Sequence, residues 1–141
     1  MPKKDKPKEP TEEELQKSIF HWVSVQRLEV PELNRCFAIS NEAGYKRAHH
    51  WRAMGLKRGV SDILLDCESG CGTYRNLWIE LKTSKGKLSE HQELFLLESA
   101  EAGSLAVVVR TLEGFQSIVY SYLTSEEDEE GDDLPPSVSL N

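Results

Sequence analysis

Apolar positions recur at Leu15, Ile19, Trp22 and Val23, spaced by three and four, and this predicts an amphipathic helix running to about Arg27. Thr11 followed by Glu12, Glu13 and Glu14 reads as an N-cap with a capping box, and the acids suit the positive end of the helix dipole. Carried backwards, the apolar stripe reaches Glu12, the acid nearest the buried face. Cys36-Phe37-Ala38-Ile39 reads as a short strand stopped by Ser40-Asn41. A helix is expected from about Lys46 to Met54, and Gly55 and Gly59 bracket a turn. Asp62–Asp66 and Arg75–Lys82 read as strands. In the second, Leu77, Ile79 and Leu81 share one face, and Trp78, Glu80 and Lys82 the other. Ser89 caps an expected helix from Glu90 to about Ala102, with an apolar stripe at Leu94 and Leu97 beside Phe95 and Leu96; Gly103 is its stop. Leu105–Val109 is continuously apolar, as in a strand buried on both faces. A last helix spans Leu112 to about Leu123. The order helix, strand, strand, strand, helix, strand, helix predicts a mixed sheet flanked by helices.

Composition places boundaries on this domain. Residues 1–10 are rich in Lys and Pro and expected to be disordered, residues 11–123 form the domain, and residues 124–141 form an acidic disordered tail. The formal charge of −7 is set by that tail, because residues 126–133 hold seven acids and the rest has 17 acids against 17 bases. Within this neutral body, Ala43–Val60 carries Lys46, Arg47, Arg52, Lys57 and Arg58 and no acid, which suits a polyanionic partner. No apolar run approaches the roughly 20 residues of a membrane span, and three scattered cysteines suit reduced thiols, so a cytoplasmic protein without membrane contact is expected.

The chemistry sits at a spacing. Asp62 and Glu80 are symmetric about Cys71, inside Ser69-Gly70-Cys71-Gly72, the best hairpin turn in the chain. A simple hairpin brings the two carboxylates opposite each other, with Lys82 further along the same face. Two carboxylates beside a lysine suggest a site for a hard divalent cation, Mg²⁺ or Mn²⁺, that cleaves phosphodiesters. Glu12 could add a third carboxylate, with Glu13 and Glu14 as alternatives, and Leu81 a main-chain carbonyl. Lys82 would stabilise charge at the scissile phosphate. The competing structural reading is an exposed salt-bridge face on an edge strand.

Gly59-Val60-Ser61-Asp62, Trp78-Ile79-Glu80-Leu81-Lys82 and Leu88-Ser89-x-x-Gln92 together resemble the VRR-NUC branch of the PD-(D/E)-x-K nucleases. Glu12 with Gln16 and Trp22, Ala38-Ile39-Ser40-Asn41 and the basic stretch before Asp62 agree with it. The resemblance covers about residues 11–123. It implies a restriction-endonuclease-like α-β-β-β-α-β core and a Mg²⁺- or Mn²⁺-dependent, structure-selective DNA endonuclease. Small stand-alone members, associated with phages and bacteria, resemble Holliday-junction resolvases acting as homodimers. On this chain it implies Asp62, Glu80 and Lys82 as the catalytic set with Gln92 facing it, and Glu12, Asp62, Glu80 and the Leu81 carbonyl around the metal. Ser61 departs from the proline usual before the aspartate. Lys46, Arg47, Arg52, Lys57, Arg58, Lys85 and Lys87 are the candidate DNA contacts. A nuclease for flap or linear ends and a non-cutting DNA-binding module of the same fold are the alternatives.

Overall fold

Thr11 starts the first helix, α1 (Glu12–Gln26), by accepting the Glu14 N–H on its hydroxyl at 3.1 Å. A computed structural model describes residues 5–40, 48–126 and 138–139 of the chain. Leu15, Ile19 and Val23 form the buried stripe of α1, as the spacing predicts. A 3₁₀ turn at Pro31–Arg35 leads into β1 (Cys36–Ala38), followed by α2 (Ala48–Ala53), β2 (Ile63–Leu65), β3 (Leu77–Leu81), α3 (Glu90–Glu101), β4 (Leu105–Val109), α4 (Leu112–Thr124) and a two-residue β5 (Val138–Ser139).

The five strands among the described residues lie in chain order in one sheet. β1, β2 and β3 pair antiparallel; β3, β4 and β5 pair parallel, with α3 and α4 as crossovers. Ile63 faces Ile79, Leu64 faces Trp78 and Leu65 faces Leu77. This register is the reflection about Cys71 expected of the hairpin. Its turn closes through Gly72 N–H to Ser69 O at 2.9 Å, with Gly72 at φ 73°. From α4, the Tyr122 hydroxyl donates to Cys67 O at 2.6 Å and fastens the long hairpin loop to the domain.

Period-two alternation sorts the sheet into two layers. Leu77, Ile79 and Leu81 join Ile63, Leu65, Leu105, Val107 and Val109 against α1 and α4, around Phe115 and Ile19. The opposite face, Trp78 with Ala106 and Val108, packs against Leu96 of α3. The buried face of α3 differs from the expected one: Leu94 and Leu97 are 53% and 47% exposed, whereas Leu96 and Ser99 are buried. The sheet selects this face. Gln92, Leu96 and Ser99, spaced four and three, lie over β3 and β4, and an apolar count of the helix alone cannot show which side the sheet will take. The sheet also extends into the C-terminal segment, where Val138 and Ser139 pair with Ala106 and Val107.

Candidate active site

The hairpin register, continued one residue, sets Asp62 opposite Glu80 at the end of the sheet where β2 begins and β3 finishes. The Leu81 N–H donates to Asp62 Oδ2 at 2.8 Å, which fixes that carboxylate against the strand carrying Glu80 and Lys82. Glu80 points to the α3 side and is only 2% exposed. Its Oε1 accepts from Gln92 Nε2 at 2.9 Å and lies 4.0 Å from Lys82 Nζ. Its Oε2 has no hydrogen-bond partner among the described residues. Burial first, and then the charge of Asp62, push the Glu80 carboxyl up to about 8, with Lys82 pulling the other way. Two carboxylate oxygens can share a hydrogen bond only if one carries a proton, and that contact with Asp62 raises Glu80 further; the Glu12 charge adds a last, smaller push.

Gln92 is oriented by a capping box. Ser89 N–H donates to Gln92 Oε1 at 2.9 Å and Gln92 N–H donates to Ser89 Oγ at 3.2 Å. The side-chain amide therefore has its oxygen committed to the helix start and its nitrogen free for Glu80. Lys82 is steadied differently. An added Cβ at Gly86 would come within 3.3 Å of Lys82 Cδ, so the loop after β3 lies along the lysine stem.

A cavity of about 490 Å³ opens beside these groups, lined by Glu12, Glu13, Gln16, Ser40, Asp62 and Leu81 among others. Of the three glutamates at the start of α1, Glu13 is 3.0 Å from the Lys17 ammonium and Glu14 is not on the cavity wall. Glu12 is the acid whose charge reaches Glu80. Among the described residues no three Asp, Glu, His or Cys side chains converge as a preassembled metal cluster. The donor set nonetheless suits a hard divalent cation. All the candidate donors are oxygens, and a buried carboxylate oxygen without a partner lies beside a second carboxylate. Such a pair is electrostatically unsatisfied until a proton or a cation occupies it.

Ser61, where the resemblance calls for proline, is fully buried, and its hydroxyl has no partner among the described residues. Just before it, Gly59 adopts φ 82°, and an added Cβ would meet the His91 carbonyl at 2.4 Å. The end of the basic segment is thus pressed on the first turn of α3, close to Gln92. Arg52 lies on α2 and Arg58 is exposed, while Lys57 Nζ is 3.6 Å from Glu98 Oε2. Lys85 and Lys87 are exposed on the β3–α3 loop. Lys46 and Arg47 lie outside the described residues. Sequence reasoning missed Arg110, which donates from Nη1 to Thr83 O at 2.7 Å and Gly86 O at 2.9 Å and so braces that loop. A basic residue directly after a buried strand was the available signal.

No protein-family model and no curated protein matches the chain. A solved structure described as a "VRR_NUC domain protein" superposes with a TM-score of 0.72 at 24% identity, over 86% of this chain and 95% of that one. The fold is therefore of the VRR-NUC type, a mixed sheet flanked by helices, in agreement with the sequence-based expectation. No helix among the described residues is long and apolar enough to cross a membrane.

Proposed function

We propose that the chain is a divalent-metal-dependent deoxyribonuclease whose active site is Asp62, Glu80 and Lys82. The observation that carries this reading is Glu80: a buried carboxylate with one oxygen unpartnered among the described residues, set beside Asp62 and within 4.0 Å of a lysine. Burying an acid next to an acid destabilises the metal-free fold, and a salt-bridge face on an edge strand would be solvated instead. Asp62, Glu80 and the Leu81 carbonyl would hold Mg²⁺ or Mn²⁺, with Glu12 across the cavity. When bound, the ion supplies charge neutralisation at the phosphate and lowers the pKa of a coordinated water.

The chain's own residues do the remaining work. Gln92 holds Glu80 Oε1, and Oε2 is left without a hydrogen-bond partner among the described residues. The Leu81 N–H holds Asp62 in place. The Lys82 ammonium, kept extended by the loop at Gly86, offsets charge that grows on the phosphoryl oxygens in the transition state. Arg52, Lys57, Arg58, Lys85 and Lys87 are exposed cations that take backbone phosphates, which makes binding salt-dependent.

In its finer form the reading is a Holliday-junction resolvase acting as a homodimer, with one site for each strand. The test is incubation of the full chain with four-way junction, flap and linear DNA in Mg²⁺, Mn²⁺ or EDTA. Cleavage that needs metal and disappears in Lys82→Ala supports the enzyme. Equal inactivity of wild type and Lys82→Ala on every substrate refutes it. Symmetric junction cuts and a dimer in sedimentation support the resolvase form; cuts confined to flaps or ends refute that form.

A further inference from the structure

The loop after Lys82 presents opposite groups on its two sides. Arg110 Nη1 gathers the Thr83, Gly86 and, at 3.5 Å, Ser84 carbonyls. The Gly86 N–H closes the turn on Thr83 O at 3.1 Å. With its carbonyls turned toward the guanidinium, the loop is left with the Ser84 amide and hydroxyl for another partner. That partner is a carboxylate from far along the chain. Glu9 Oε1 accepts from Ser84 N at 2.7 Å and Glu9 Oε2 accepts from Ser84 Oγ at 2.8 Å. The two Ser84 bonds, and then the Lys85 charge, hold the Glu9 carboxyl below its ordinary range, so the group is ionised there.

Glu9 and Ser84 are both exposed, so no buried charge forces this pairing. An N–H and an O–H that grip two oxygens of one anion offer the same grip to two non-bridging oxygens of a phosphodiester. Lys85 supplies the positive charge, and the catalytic lysine is two residues away.

We propose that the Ser84 amide and hydroxyl, with Lys85, form a subsite for a DNA backbone phosphate next to the scissile one, and that Glu9 occupies it in the free protein as an internal competitor. The proposal rests on the nuclease reading for the identity of the polyanion, but not for cleavage. DNA must displace Glu9 to seat that phosphate, so the apparent affinity is reduced by the fraction of molecules in which the arm is closed.

The test is fluorescence anisotropy of a 5′-labelled 30-base-pair duplex with the full chain in EDTA at fixed salt. Glu9→Gln should tighten binding by about three- to tenfold, and Ser84→Ala should weaken it. The Glu9→Gln gain should shrink in the Ser84→Ala background, because both changes act at one site. Thermal melting of each variant verifies folding. Glu9→Gln that melts like wild type and binds DNA equally or more weakly overturns the subsite. A gain in Glu9→Gln from a chain that never cuts in Mg²⁺ or Mn²⁺ supports the subsite and refutes the nuclease. Failure of wild type and Glu9→Gln alike to bind the duplex overturns the subsite and leaves the nuclease to the cleavage assay.

Discussion

Replacing Glu80 with glutamine should make the metal-free protein more stable while abolishing its response to metal. Glutamine preserves the shape: its Oε1 still accepts from Gln92 Nε2, and its Nε2 brings a donor toward Asp62 where wild type has a second acid. The magnitude follows from the proton. Folded Glu80 keeps its proton up to about pH 8, whereas the unfolded chain releases it near the ordinary value of 4.5. Below 4.5 both states are protonated and the group contributes nothing. Between 4.5 and 8 the unfolded chain binds fewer protons than the folded one, so stability falls as pH rises; above 8 the full penalty is present. At pH 7 the penalty is about 3 kcal/mol, at about 1.36 kcal/mol for each pH step between the two ionisations. The Lys82 attraction is already contained in the value of about 8, so Glu80→Gln should be about 3 kcal/mol more stable at pH 7. Urea denaturation followed by circular dichroism in EDTA, at pH 5 and pH 7, measures both ends of the window. The advantage of Glu80→Gln should be small at pH 5 and grow toward pH 8. Millimolar Mn²⁺ should then stabilise wild type and leave Glu80→Gln unmoved. A Glu80→Gln protein no more stable than wild type at pH 7, or an advantage independent of pH, refutes the reasoning.

Two further substitutions probe how the site is framed. Gly59→Ala puts a methyl group against the His91 carbonyl at 2.4 Å from a positive φ, and should cost about 2–4 kcal/mol in a denaturant titration. Ser61→Ala removes a buried hydroxyl that has no partner among the described residues, and should raise stability by about 1 kcal/mol, read as a higher urea midpoint with an unchanged slope.

The chain's local chemistry was enough to place its main helices and strands, though not the 3₁₀ turn at Pro31–Arg35 or β5. Thr11 and Ser89 cap the helices expected of them, and the uninterrupted apolar run Leu105–Val109 is a strand buried on both faces. Even the pairing of β2 with β3 was legible, because a hairpin's register is a reflection about its turn, and that reflection alone sets Asp62 opposite Glu80. Ser89 was legible as a helix cap, although the capping box it forms with Gln92, and the steering of the Gln92 amide onto Glu80, are seen only in the structure.

Quantities that depend on several distant segments belong to the tertiary structure. It decided that Leu96, and not Leu94 or Leu97, is the buried leucine of α3, because burial depends on which face β3 and β4 meet. Among three consecutive glutamates it set Glu12 toward Glu80, whereas the Glu13–Lys17 pair is an i,i+4 contact along α1 itself. It joined Glu9 to Ser84 across most of the domain and drew the loop carbonyls onto Arg110. Capping, turn formation and alternation are local, and neighbouring residues specify them. The burial of Glu80, and hence its retained proton, is the sum of α3, β2 and β3 excluding water from one carboxylate, and no stretch of sequence carries that sum.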